Sequence, residues 1–198
     1  MDKSKKIGFA VIGYGGMGSW HASTCADDFK DTAELIGIYD IKPERRAAAE
    51  AEGIHAFSSR EELLADERID LVTVATPNDV HKEIAIAAMA AGKNVISEKP
   101  VALSQEELEE MIAASKKYDK LFTVHQNRRW DPDFKCVQKI LADNELGKVF
   151  RIESRVQGSR GIPGDWRNQK AHGGGMVLDW GIHLLDPALR IGEGSKLT

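Results

Sequence analysis

A six-residue apolar run, Ile7 to Ile12, leads straight into Gly13-Tyr14-Gly15-Gly16-Met17-Gly18, and no other stretch narrows the possible folds so much. An unbroken apolar run suits a parallel strand covered on both faces. Gly13 permits a tight turn, Gly15 a close backbone approach, and Gly18 a helix packed hard on the strand. A helix is expected from about Met17 to Asp27. Glycine clusters occur in ordinary turns too. This one follows a strand and opens a helix, which makes it far more informative.

The same strand–helix alternation continues to residue 125. Further strands are expected at 34–39, 55–57, 71–74, 94–97 and 121–124. Helices are expected at 44–52, after a cap at Ser58 or Ser59, at 79–91 and at 104–118. Pro43 suits a first helical turn, and Gly53 and Gly92 stop two helices. Right-handed crossovers between such strands give an α/β fold with a doubly wound parallel sheet, a Rossmann domain over residues 1–125.

Past His125 the pattern changes. A helix is expected at 134–141, a period-two strand at 149–156, a Gly-, Pro- and Trp-bearing loop at 158–175, and a helix at 176–191. A single strand makes no stable sheet, so residues 126–198 read as the incomplete start of an α+β second domain. Residues 192–198 do not read as a domain terminus, which suggests a truncated chain.

A formal net charge of -4 argues against a nucleic-acid partner, which needs clustered Lys and Arg; Lys3, Lys5 and Lys6 are too short a run. No signal-peptide pattern or membrane-length apolar run is present. Cys25 and Cys136 lack a CxxC partner or a histidine at ligand spacing, so they read as two buried thiols in a reducing compartment, with no metal site. The expected location is cytoplasmic.

Asp40 ends the second strand, 22 positions after Gly18. A carboxylate there would accept hydrogen bonds from a ribose, while the N–H groups opening the first helix face a pyrophosphate. The expected cofactor is therefore NAD, held by Gly13, Gly15, Gly16, Met17, Gly18 and Asp40. Arg45 and Arg46 keep NADP open, because a guanidinium can take a 2′-phosphate. Ala75-Thr76-Pro77-Asn78 and Glu98-Lys99-Pro100 follow the strands at 71–74 and 94–97, where a dinucleotide should pass, and Pro100 admits a cis peptide. His81 joins this cofactor set, with a packed or solvated helix residue as the alternative.

The glycine motif, Ala75 to Asn78, Glu98-Lys99-Pro100, Asn127-Arg128-Arg129, and Gly173-Gly174-Gly175 followed by Asp179 and His183 together resemble the Gfo/Idh/MocA family. That family of oxidoreductases is named in part for glucose–fructose oxidoreductase and inositol dehydrogenase. The resemblance runs from about Lys6 to Leu189. It implies catalytic roles for Lys99 at the reacting hydroxyl, for His183 in proton exchange and for Asp179 in orienting substrate. It also implies hydride transfer between a nicotinamide and a sugar, inositol or related polyol, and a homo-oligomer in the full-length form. Arg128, Trp166, Arg167 and His172 are weaker candidates for substrate contact.

Asp179 and His183 lie four apart and are expected to share a helix face, with Asp186 as a possible surface partner for His183. Two other readings stand beside the enzyme: a non-catalytic NAD-binding or sensing module, which needs none of Lys99, Asp179 and His183, and an inactive fragment. A protein–protein module built on an exposed strand edge is a further, weaker reading.

Overall fold

The computed structural model describes residues 6–158 and 161–192, so Lys3, Lys5 and the terminal stretch 193–198 lie outside the described residues. The chain divides into two compact units, residues 1–125 and 126–198.

The first unit is built on five parallel strands: β1 (Ile7–Ile12), β2 (Ala33–Tyr39), β3 (Leu71–Val74), β4 (Asn94–Ser97) and β5 (Phe122–Val124). Their order across the sheet is β2-β1-β3-β4-β5. Alternate side chains of β1 go to opposite faces, as the two-residue period of a strand requires. Ala10 and Ile12 join one apolar cluster, and Phe9 and Val11 join the other.

Each cluster is sealed by its own helices. Ala22 and Cys25 of α1 (Gly16–Asp27) and Ala49 of α2 (Pro43–Ala51) cover one face. Leu63 and Leu64 of α3 (Arg60–Ala65), Met89 of α4 (His81–Ala90) and Met111 of α5 (Gln105–Tyr118) cover the other. Each large side chain buried this way contributes roughly 1.5–3 kcal/mol. The expected doubly wound sheet is present.

One expected strand is not. Residues 55–57 form only a single parallel bridge, Ile38 to Ala56. Ile38 N–H donates to the His55 carbonyl and Phe57 N–H to the Ile38 carbonyl, after which Ser59 caps α3 by accepting from Glu62 N–H at 3.0 Å. The chain turns into a helix too soon to extend the ladder. Five strands replace the six expected.

The second unit holds α6 (Pro132–Ala142) and α7 (Ile182–Ile191), with short 3₁₀ turns at Asn127–Trp130, Trp166–Asn168 and Lys170–His172. Residues 149–156 form no ladder among the described residues, contrary to the alternating pattern. Alternation sets which side chains share a face, but a strand also needs a neighbour to bond. The final helix is interrupted by a π-helical turn over Val177–Gly181. Cys136 is exposed while Cys25 is buried, so only one thiol matches the expectation.

Candidate active site

The strand order reverses beside β1, because β2 lies on one side of it and β3 on the other. Open α/β sheets bind ligands at the carboxyl ends of the strands flanking such a point. The glycine turn sits there, and its glycines separate into two kinds. A Cβ on Gly18 would lie 1.8 Å from the Gly13 carbonyl oxygen, and one on Gly13 (φ +94°) would lie 2.6 Å from that of Ala75. These two close the packing of helix and loops. A Cβ on Gly15 or Gly16 would meet nothing within 4 Å. Those two face open space at the start of α1, whose first turn has no side-chain cap and no acidic residue. A pyrophosphate fits there on charge and on shape.

Asp40 proves to build this turn as well as border it. Its Oδ2 accepts from Tyr14 N–H at 2.7 Å and its Oδ1 from Lys42 N–H at 2.8 Å. A carboxylate oxygen still has a second lone pair, so a ribose hydroxyl remains compatible. Tyr14 is buried, and its hydroxyl donates to Glu52 Oε2 at 2.8 Å. Burial, then the Glu52 carboxylate, push that phenol up to about 12. Arg46 donates to the Asp40 carbonyl at 2.6 Å, a backbone duty that draws it from any phosphate, whereas Arg45 is exposed. Met17 is half-buried in the first turn of α1.

His81 is corrected from its expected place among the cofactor ligands. The ring is fully buried, with Nδ1 2.9 Å from the Pro100 carbonyl and Nε2 2.9 Å from the Thr76 carbonyl. It ties the loop after β3 to the loop after β4. Burial drives the ring below its ordinary value against the pull of those two carbonyls. Asn78 is buried, Ala75, Thr76 and Pro77 are half-buried, and the Lys99–Pro100 bond is cis.

Glu98 likewise turns inward. It is 5% exposed, and its Oε1 lies 2.8 Å from His21 Nε2 and 2.8 Å from His125 Nδ1. Its Oε2 accepts from the Lys99 N–H at 3.2 Å. Burial would raise this carboxyl, but the N–H donors of His125 and His21 outweigh it and hold the group at about 2. Trp20 packs edge-on to His21 and tilted against His125, with ring centroids 5.0 Å and 5.5 Å away.

The three donor atoms lie within 4.8 Å of one another, which raises the question of a metal. Contacts of 2.8 Å to one shared oxygen are hydrogen-bond lengths, and a ring nitrogen donating its N–H has no lone pair for an ion. The cluster is therefore a hydrogen-bonded one. His21 and His125 were missed by the sequence reading. His21 shares the sheet-facing side of α1 with Gly18, three residues earlier, which was a legible hint. His125 offered none, because its meeting with Glu98 depends on β5 lying beside β4.

In the second unit, Asp179 lies in the π-helical turn and His183 in the first turn of α7. The wider turn offsets the pair from the ideal stacking expected of an α-helix. Arg167 Nε lies 3.7 Å from Asp179 Oδ1, and the Trp180 and His183 ring centroids are 5.8 Å apart. Asp186 is engaged from the other end of the unit. It takes a two-pronged grip from Arg129, at 2.8 Å from Nε and 2.5 Å from Nη2.

Gly174 approaches backbone rather than open space, since its Cβ would lie 2.3 Å from the Arg167 carbonyl oxygen. Arg128 pairs with Asp131 at 2.9 Å, with its guanidinium 5.5 Å from the Trp180 ring. Arg128, Trp180 and His183 line an open groove of about 520 Å³ together with apolar side chains of α6 and α7. Trp166 lies under the Arg167 guanidinium at 4.5 Å, and His172 is half-buried.

A parallel sheet with a glycine turn at its switch point and an acid ending β2 defines a dinucleotide-binding Rossmann unit. Residues 7–126 match the GFO/IDH/MocA model, described as an oxidoreductase family with an NAD-binding Rossmann fold, and residues 134–195 match the GFO/IDH/MocA C-terminal domain. The chain belongs to this family.

It is 33% identical over 190 residues to the uncharacterized oxidoreductase YdgJ of Escherichia coli, covering 95% of this chain and 54% of that protein. It is 31% identical over 193 residues to the NADP-dependent scyllo-inositol 2-dehydrogenase IolW of Bacillus subtilis, covering 96% and 52%. A solved NAD-binding protein from Listeria innocua superimposes with a TM-score of 0.91 at 49% identity, covering 96% of this chain and 56% of that one. GenD2 of gentamicin A biosynthesis, solved in complex with NAD, gives a TM-score of 0.85 at 29% identity, covering 98% and 55%. The chain thus spans about half the length of these relatives. No helix among the described residues is long and apolar enough to cross a membrane.

Proposed function

We propose that this chain carries the cofactor site and catalytic side chains of an NAD-dependent oxidoreductase acting on a CH–OH group of a sugar, inositol or related polyol. The observation that carries this reading is the division among the glycines: Gly13 and Gly18 are closed by packing, while Gly15 and Gly16 leave an unfilled space at an uncapped helix start. The backbone around Gly15 and Gly16 would hold the pyrophosphate, and Asp40 the adenosine ribose. NAD is favoured over NADP because a carboxylate repels a 2′-phosphate and Arg46 is occupied by the Asp40 carbonyl.

When bound, NAD supplies the hydride acceptor. Lys99 would hydrogen-bond the reacting hydroxyl and stabilise negative charge developing on its oxygen. His183 would take the hydroxyl proton, and Asp179 would orient the substrate. Arg128, Trp166, Arg167 and His172 would contact the remaining hydroxyls. We further propose a cytoplasmic setting and a homo-oligomer for the full-length protein.

Calorimetry with NAD and NADP tests the cofactor site. Gly15→Val should fold normally, since its side chain meets open space, yet bind NAD at least tenfold more weakly. Turnover of a polyol panel should vanish in Lys99→Met with NAD affinity kept. Failure of well-folded wild-type protein to bind either nucleotide would overturn the reading.

A further inference from the structure

We propose that Glu98 and His125 form a carboxylate–imidazole dyad presenting His125 Nε2 as a further proton-exchange atom next to the Lys99 loop, with His21 fixing the carboxylate. This rests on the oxidoreductase reading above. The register pairs Ser97 with Val124, so Glu98 and His125 stand side by side just past the ends of β4 and β5. That is the sheet edge at which open α/β folds bind ligands.

The buried Glu98 Oε1 takes two N–H donors at 2.8 Å. One is His125 Nδ1–H, which leaves the ring's lone pair on Nε2. Among the described residues Nε2 has no hydrogen-bond partner, and the side chain keeps 23% of its surface exposed. The structure thus gives His125 the two features of an oriented general base: a carboxylate behind one ring nitrogen and an open position at the other. His21 differs. It comes from α1, its side chain is only 9% exposed, and its contact stops Glu98 from swinging away.

The step balances simply. One proton leaves per oxidised hydroxyl, and here His125 Nε2 would take it in place of His183. The O–H bond breaks as an N–H bond forms at Nε2, and the C–H electron pair would go to the nicotinamide that NAD supplies when bound. The Glu98 carboxylate compensates the imidazolium charge, and the reverse reaction returns the proton. Among the described residues, Glu98 and His21 are the titratable groups in contact with the His125 ring, with the Trp20 indole tilted against it.

Histidine-labelled ¹⁵N NMR tests the dyad without requiring turnover. His125 should show the Nδ1–H tautomer and His21 the Nε2–H tautomer. Glu98→Gln should shift the His125 ring ¹⁵N resonances, because the carboxylate 2.8 Å from its Nδ1 is gone. Should Glu98→Gln fail to fold, the wild-type tautomers and the partly exposed His125→Asn carry the test. NAD⁺ should shift the His125 ring resonances, and His125→Asn should keep NAD affinity within about twofold while changing the pH profile of any polyol turnover.

An Nε2–H tautomer at His125, or tight Co²⁺ binding with metal-centred absorption bands, would overturn the dyad. Calorimetric NAD⁺ binding that leaves His125 unmoved would overturn its proton role and spare the oxidoreductase reading. Absence of NAD⁺ binding would instead remove the reading on which that role rests.

Discussion

From Gly8 to Ile12 every residue of β1 is buried, whereas Phe134 is the only apolar side chain buried to that degree among the described residues of the second unit. There Phe150 is 94% exposed and Val177 73%. The contrast has a geometric origin. A parallel strand flanked by strands and covered by helices on both faces completes its core from nearby sequence. Two helices and a segment without a ladder among the described residues cannot enclose comparable apolar surface. In the second unit the Arg129–Asp186 ion pair and the close approach of Gly174 to the Arg167 carbonyl join separated segments.

The sharpest way to break this contrast is Gly18→Val. Its Cβ would fall 1.8 Å from a backbone oxygen that has nowhere to go. Loss of more than about 4 kcal/mol is expected, enough to unfold the first unit, read as lost sheet and helix signal in circular dichroism. A stable, NAD-binding Gly18→Val protein would mean that the helix does not pack as described.

Core truncations sharpen the comparison further. Met89 is fully buried, so Met89→Ala should cost roughly 2–5 kcal/mol in urea unfolding, while Phe150→Ala should change stability by less than about 0.5 kcal/mol. Equal costs would erase the difference between the units.

A smaller effect should come from acid. Glu98 has its folded value lowered to about 2 from the ordinary 4.5. Its contribution is therefore present above about pH 4.5 and lost as the pH falls toward 2. The linkage amounts to about 3 kcal/mol at full loss. Glu98→Gln should flatten the acid limb of the stability curve, and a limb unchanged by that substitution would show that the two imidazoles do not hold the carboxylate.

Much of the first unit was readable from residues alone. The ends of β1, β3 and β4, the glycine turn and a serine cap at residue 58 or 59 all follow from local rules. The site was readable in part: the placement of Lys99 after β4 came from its triplet, while the inward turn of His81 and Glu98 did not. A side chain at a loop can face solvent, a ligand or the core, and its neighbours in sequence do not choose among these.

Local pattern by itself thus determined most of the elements of the first unit, their order along the chain and the tight turn at Gly13, because strand period, helix capping and positive φ are properties of a few adjacent residues. Tertiary structure alone decided the partners: β3 beside β1, Arg129 on Asp186, and His21 and His125 on one oxygen of Glu98. Those meetings join residues 27 to 77 positions apart, and such distant groups come within reach of one another only through the order of the strands in the first unit and the packing of helices and turns in the second.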